Sequence, residues 1–392
     1  MTTGGTTRRL DIGVFGARAV PSTYSGYETF LTTLLPALAD RGHQVTMYCR
    51  PGEADGEGPY RGVQREVLPA IPGKQFNTLS HGAVAAVQAR RRRHDVLLVV
   101  NVANAPFCAL NSRTGQPVVL NTDGQEWLRG KWGRVAKAWF KTSARLAKYG
   151  ATGLIADCAA MADVYEREFG AESTVIPYCF PDIPFEPDPA LLDRFGVKPG
   201  EFAIVGGRLN PENNIDTVVE AWAASSTDLP LLVLGAANYA SPVQTRLDQL
   251  AGLDDRIHLA GHVHDRQEFL TILALASTYI HGHSVGGMNP SLVEAMGAGA
   301  LVAALDTPFN RETMGATGRF FARDCHDVVK VVDELRATAA SEQTALRTEA
   351  SARARERFAI ADVVGAYEDL LVDAASGRAR RRLRHRTRWS AP

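Results

Sequence analysis

The chain lacks most of the features that mark metal, redox and membrane proteins. Its 392 residues hold five cysteines, at positions 49, 108, 158, 179 and 325, widely spaced and with no Cys-x-x-Cys pair. An odd number at such spacing excludes a disulfide framework and a structural zinc site, and points to a reducing compartment. No Asp-x-Asp occurs. No apolar run approaches the roughly 18 residues of a membrane span, and the first nine residues lack the apolar core of a signal peptide. The first strand is not followed by Gly-x-Gly-x-x-Gly: Gly16-Ala-Arg18-Ala-Val-Pro21 lacks that spacing, which argues against a dinucleotide-dependent oxidoreductase. No Ser-His-Asp or Cys-His grouping stands out. The expectation is a soluble cytoplasmic protein with no cofactor.

What is present is ordinary in amount and uneven in place. Hydrophobic residues make up 45% of the chain, enough for full cores at a length that allows two domains. Formal net charge is zero, yet seven of the 43 basic residues fall between Arg378 and Arg388. Short apolar runs recur at 10–16, 45–49, 96–101, 118–121, 153–156 and 174–176, mostly with helical segments between them. That alternation predicts a doubly wound parallel sheet. Six prolines between Pro177 and Pro199 interrupt it, after which it restarts at 202–206, 231–235, 256–259, 278–280 and 301–304. The expected order is a disordered N-terminus over 1–9, a Rossmann-like domain over 10–180 and a Pro-rich linker over 181–200. A second Rossmann-like domain over 201–358 follows, then a helix over 359–376 crossing back to the first domain, and a basic, disordered tail over 377–392. A cleft between the domains is the expected ligand site.

The richest stretch is His281-Gly-His283-Ser-Val-Gly286-Gly287-Met288-Asn289-Pro290-Ser291-Leu-Val-Glu294-Ala-Met-Gly297-Ala-Gly299. Gly286 and Gly287 let backbone approach a ligand. Asn289 is placed to cap a helix whose first position is Pro290. The free amides of that first turn form an anion site, and Glu294, one turn on, suits a sugar's hydroxyls. The plainer alternative is a strand–turn–helix connection. A second candidate is Arg208, after the strand at 202–206 and Gly207, where a guanidinium can grip a diphosphate; the alternative is a surface arginine paired with Glu212.

Gly207-Arg208-Leu-Asn-Pro211-Glu212-Asn213-Asn214, together with the stretch from Gly286 to Gly299, resembles the donor site of retaining glycosyltransferases of family four, which have the two-domain GT-B fold. Gly16-Ala-Arg18, Gly26-Tyr-Glu28, Arg41-Gly-His43 and Asn121-Thr-Asp123-Gly124-Gln-Glu126-Trp127 resemble the bacterial subgroup containing rhamnosyltransferases of surface polysaccharide assembly. The resemblance covers roughly residues 9 to 375. It implies that Arg208 neutralises the donor diphosphate and Glu294 holds the ribose. Gly287, Met288, Asn289, Pro290 and Ser291 would contact phosphates and donor sugar, and Gly261, His262 and Val263 the base. Gly16 would face the diphosphate; Tyr24, Gly26, Glu28, Asn101, Asp123 and Glu126 would lie on the acceptor side, with Asp123 near the reacting sugar. The implied catalytic set is Arg208, Asp123 and Glu294.

Two departures stand out. The family usually has Glu eight positions before Glu294, where this chain has Gly286; His283 is the nearest polar replacement. The family usually has lysine where this chain has Asn213, and Arg18 is the candidate substitute cation. The reaction implied is transfer of rhamnose or another hexose from a nucleoside-diphosphate sugar to a saccharide or lipid-linked acceptor, without a metal. The leaving phosphate takes the acceptor's proton. A catalytically silent nucleotide-sugar-binding module and a nucleotide-sugar epimerase are the alternatives. His281-x-His283 and His262-x-His264 each offer the start of a metal site but no third ligand at a telling spacing, so the histidines are read as lining the donor cleft. From Trp132 to Lys148, Arg134, Lys137, Lys141, Arg145 and Lys148 form one basic face. Trp132, Val135, Trp139, Thr142 and Leu146 form the opposite, apolar one. That pattern fits either an ordinary amphipathic helix on the sheet or docking on the anionic inner face of a membrane. No recognition pattern for nucleic acid accompanies the basic tail.

Overall fold

The computed structural model describes residues 8–22, 26–54, 56, 58–73, 76–180, 183–235, 242–263, 265–377 and 388–389. The chain divides into two compact units. Unit 1 comprises Met1–Trp127, Trp132–Cys179 and Ile360–Pro392; unit 2 comprises Leu128–Lys131 and Phe180–Ala359.

Unit 1 is built on seven parallel strands: β1 (Asp11–Phe15), β2 (Gln44–Cys49), β3 (Val63–Val67), β4 (Val96–Val100), β5 (Val118–Asn121), β6 (Gly153–Ala156) and β7 (Thr174–Val175), in the order β3-β2-β1-β4-β5-β6-β7. β4 is Val-Leu-Leu-Val-Val and every residue of it is buried, as a central strand covered on both faces must be. β3, Val-Gln-Arg-Glu-Val, pairs only with β2 and leaves four of its five residues half-buried or exposed at the sheet edge, so it has no apolar run to betray it. The helix Gly26–Asp40 buries Phe30, Leu31, Leu34, Leu35 and Leu38. The helix Ile360–Ala375 belongs to the same unit: Tyr367 accepts from Asn121 Nδ2 at 2.7 Å, and Glu368 pairs with Arg41 at 2.7 Å and His43 at 3.0 Å.

Unit 2 repeats the plan with six parallel strands: β8 (Ala203–Gly206), β9 (Leu231–Leu234), β10 (Ile257–Gly261), β11 (Thr278–His281), β12 (Val302–Leu305) and β13 (Arg319–Phe321), in the order β10-β9-β8-β11-β12-β13. Its core centres on the fully buried Trp222, whose indole donates to Leu229 O at 2.9 Å. β13 is the second edge strand with no apolar run to announce it.

Several expectations need correction. Within the proline-rich stretch, Pro189–Phe195 forms a 3-10 helix capped by Asp188, with Leu192 buried, and the stretch is part of unit 2 rather than a bare linker. Proline suits that helix because it stands at the first position, where no N–H is needed. Arg8 is ion-paired with Asp95 at 3.3 Å, so order begins before residue 10; residues 1–7 lie outside the described residues. Of the basic tail, 378–387 and 390–392 also lie outside them, whereas Trp389 is buried and Arg388 pairs with Asp362. The helix Arg134–Gly150 does not split into basic and apolar faces as expected. Its buried face is Phe140, Ser143, Ala144 and Ala147, and Val135 (82% exposed), Leu146 and Tyr149 share the outer face with the cations. The small residues pack because they allow close approach to the helix Ala105–Ser112, where a Cβ on Gly150 would lie 2.9 Å from Ala105 O. Among the described residues, no helix is long and apolar enough to cross a membrane.

Candidate functional site

In an open parallel sheet, ligands bind beyond the carboxyl ends of strands where the strand order reverses. In unit 2 that point lies between β8 and β11, and the two stretches singled out in the sequence leave from those two strands. After β8, Gly207 and Arg208 lead into a 3-10 turn, Pro211–Asn213, before the helix Ile215–Ala223. After β11 come His283 and the glycine pair, then the helix Pro290–Gly297.

The two loops are stapled together. Ser284 donates from both N and Oγ to Glu212 O at 2.9 Å, and Asn214 Nδ2 donates to Gly282 O at 2.7 Å. Arg208 is exposed, and among the described residues it has no ion-pair partner; Glu212 pairs with Arg129 at 3.4 Å. Asn213 is buried and donates through Nδ2 to Arg208 O at 2.6 Å, so its amide is used inside the turn. A Cβ on Gly207 would sit 3.3 Å from the His283 ring and 3.4 Å from Asn213 Nδ2, which places those three residues side by side.

Asn289 caps the helix as its residue type suggests: Oδ1 accepts from Ser291 N at 3.0 Å and from Ser291 Oγ at 2.8 Å, with Pro290 in the first turn. A polar chain runs behind it, from Ser291 Oγ to Tyr279 OH at 3.4 Å and on to His281 Nδ1 at 3.1 Å. The His281 and His283 rings stack at 4.5 Å and 11°. Burial lowers the His281 pKa to about 3. Burial, then the neighbouring His281, Arg208 and Arg129, holds His283 well below its usual range. Both imidazoles are therefore neutral at pH 7. Among the described residues no three His, Cys, Asp or Glu side chains gather as a metal ion would need; His264 lies outside them. Glu294 pairs with Arg266 at 2.9 Å, yet burial outweighs that cation and raises its pKa. Gly261 ends β10 and accepts from Gly235 N at 2.7 Å, followed by the exposed His262 and half-buried Val263. Gly287 is half-buried and Met288 buried in the loop before Asn289.

In unit 1 the strand order reverses between β1 and β4. At the end of β1, Gly16 has φ +112°, and a Cβ there would lie 2.1 Å from Val100 O; only glycine lets the loop pass so close to β4. Arg18 is held by Glu53 and, at 3.9 Å, by Glu28. Glu28, in the helix that opens with Gly26, accepts from Arg18 N at 3.1 Å and Ser22 Oγ at 2.7 Å; burial still raises its pKa. Asn101 (φ 67°) and Asp123 (φ 56°) stand in the left-handed region just past β4 and β5, strain of the kind that collects at functional sites. Asp123 Oδ1 accepts from Tyr178 OH at 3.4 Å, and Tyr27 lies edge-on to Tyr178 at 5.7 Å. Glu126 accepts from Trp132 Nε1 at 2.8 Å. Tyr24 lies outside the described residues.

Residues 25–179 match the family described as "Glycosyl transferase 4-like domain", and residues 195–357 match "Glycosyl transferases group 1". The chain belongs to the family-four glycosyltransferases. HepE of Anabaena in complex with UDP-glucose superimposes with TM-score 0.72 at 17% identity, over 93% of this chain and 99% of that one. Sucrose-phosphate synthase from Thermosynechococcus elongatus gives 0.77 at 17% identity, over 94% and 100%. These likenesses show the GT-B fold. A sequence relative, the GtfA subunit of a UDP-N-acetylglucosamine–peptide N-acetylglucosaminyltransferase from Limosilactobacillus reuteri, is 31% identical over 126 residues, 31% of this chain. The match spans about a quarter of that relative's length (24%).

Within this glycosyltransferase, unit 2 brings Gly207, Arg208, Asn213 and His283 together, while Glu294 and Gly261 stand on neighbouring elements of the same sheet end. Sequence reasoning missed Arg129. Its Nη1 reaches Glu212, and its Nη2 would lie 3.8 Å from a Cβ on Gly286. The signal was modest: a single cation two residues past the Asn121–Trp127 motif, on a short loop.

Proposed function

We propose that the enzyme is a retaining glycosyltransferase that moves rhamnose or another hexose from a nucleoside-diphosphate donor to a saccharide or lipid-linked acceptor. The observation that carries this reading is the exposed Arg208 beside a capped, proline-started helix at the switch point of unit 2. Both features favour an anion, and together they suit a diphosphate. The solved relative with UDP-glucose supports a nucleotide-sugar donor.

Transfer passes through an oxocarbenium-like state while negative charge grows on the leaving phosphate. Preorganised donors stabilise that charge best, and Arg208 with the first-turn amides supplies them without a metal. Retention follows when the acceptor attacks from the face the phosphate leaves and the phosphate oxygen takes the acceptor's proton. Asp123, held in a strained backbone by the frame of unit 1, is assigned to the reacting sugar, and Glu294 to the ribose. The outer face of the helix Arg134–Gly150, with Val135, Leu146 and Tyr149 among basic residues, supports peripheral docking on anionic lipid at the inner face of a membrane.

A thermal-shift panel of UDP, dTDP, GDP and ADP on wild type and Arg208→Ala tests the donor assignment. Ligand at a hundred times its Kd adds about 2.7 kcal/mol of stability. The expected result is one nucleotide that stabilises wild type and not the variant. No shift with any nucleotide favours a silent module, and product isomerisation without transfer favours an epimerase.

A further inference from the structure

We infer that Arg129 is a second phosphate-binding cation of this enzyme, working with Arg208 where Asn213 stands in place of the family's lysine. This rests on the donor assignment above and extends it to a residue outside the recognised motifs.

Asn213 itself is not available for the task. Its side chain is buried, and its amide is spent on Arg208 O at 2.6 Å. Arg129 lies in the four-residue segment Leu128–Lys131, which belongs to unit 2 although the chain on either side of it belongs to unit 1. Its guanidinium is largely buried, 11% exposed, and Glu212 Oε1 fixes it from one side at 3.4 Å. Its other nitrogen faces the loop before the capped helix, at the position of Gly286. Arg129 and Arg208 also act on one imidazole, that of His283. Arg129 and Arg208 thus bring two guanidiniums to the same loop, where an anion would meet both.

A second observation points to a missing ligand. Among the described residues, His283 Nδ1 is buried without a hydrogen-bond partner, although buried polar atoms are nearly always satisfied. A diphosphate-linked sugar lying against Arg208 and Arg129 would bring acceptor oxygens to that nitrogen. Arginine also suits the task better than lysine, because its planar fork grips two phosphate oxygens at once.

The test compares calorimetric affinities for a nucleoside diphosphate, its monophosphate and inorganic pyrophosphate, in wild type, Arg129→Lys, Arg208→Ala and the double variant Arg129→Gln/Glu212→Gln. The double variant removes the charge without leaving Glu212 buried and unpaired, and its melting curve reports whether it folds. The expected result is a preference for diphosphate over monophosphate that shrinks roughly tenfold or more in the double variant, the usual worth of one charged hydrogen bond. Monophosphate binding stays the same, and Arg129→Lys keeps part of the preference. A folded double variant with wild-type preference overturns the role of Arg129 and leaves the donor assignment standing. Pyrophosphate binding that depends on Arg129 without any nucleotide binding keeps the cation site and overturns the donor assignment. Wild type that binds neither overturns both.

Discussion

The carboxylate of Glu294 lies 2.9 Å from the guanidinium of Arg266, on the neighbouring helix Arg266–Leu275. The residue assigned to the ribose is thus held by a positioning cation while burial pulls its pKa upward. Glu294→Gln keeps the shape and removes the charge. It should weaken nucleoside diphosphate binding roughly tenfold and cost about 1–3 kcal/mol of stability through the lost pair. Titration calorimetry and denaturant unfolding read the two effects separately; unchanged affinity would remove Glu294 from the ribose.

Arg208→Ala should lower kcat by roughly a hundredfold with the melting temperature preserved, the loss expected for one preorganised donor to a developing anion. Its side chain is exposed and makes no ion pair among the described residues, so little of the fold depends on it. Wild-type turnover would take it out of the site.

Gly286 has φ +136°, a conformation closed to other residues without strain. Restoring the family's glutamate there should not restore a family-like site. Gly286→Ala and Gly286→Glu should each destabilise by about 1–3 kcal/mol, with no gain in turnover. A glutamate variant as stable as wild type and faster would mean that the loop tolerates a side chain.

The paired histidines give the protein a sensitivity to acid. Both folded-state pKa values are lowered, to about 3 for His281, so their neutral forms contribute stability that is present above about pH 6.5 and lost as pH falls toward the folded values. Each adds a slope of about 1.4 kcal/mol per pH unit below that point. Unfolding free energies between pH 7 and 4 should fall more gently in His281→Asn than in wild type, and parallel curves would show that His281 does not titrate on unfolding.

Reversing charge at Arg134, Lys141 and Arg145 to glutamate should weaken binding to anionic vesicles and leave transfer to a water-soluble acceptor unchanged. These side chains point away from the buried face formed by Phe140, Ser143, Ala144 and Ala147. Vesicle co-sedimentation decides it, and equal binding would discard the membrane role.

Much of this was legible in the residues. Val-Leu-Leu-Val-Val at β4 and Leu-Leu-Val-Leu at β9 are continuous apolar runs because parallel strands are covered on both faces. Asn289-Pro290 announced a helix start through cap chemistry that acts within a few residues. β3 and β13 were invisible because β3 carries three polar residues at its centre and β13 is only three residues long, so neither forms an apolar run. The outer face of the helix Arg134–Gly150 misled, since small residues pack by closeness rather than by hydrophobic bulk.

The sequence alone determined the two sheets, the proline-marked break between them and the loops that leave β8 and β11, because periodicity, capping and glycine placement are local properties. Only the tertiary structure decided which charges share a site. Arg129 meets Glu212 across 83 residues of chain, Arg266 meets Glu294 across 28, and Arg18 is engaged by Glu28 and Glu53. Such pairings depend on how strands are ordered in a sheet and where their ends converge. No local pattern encodes that order, so the partner of each charge emerged only with the fold.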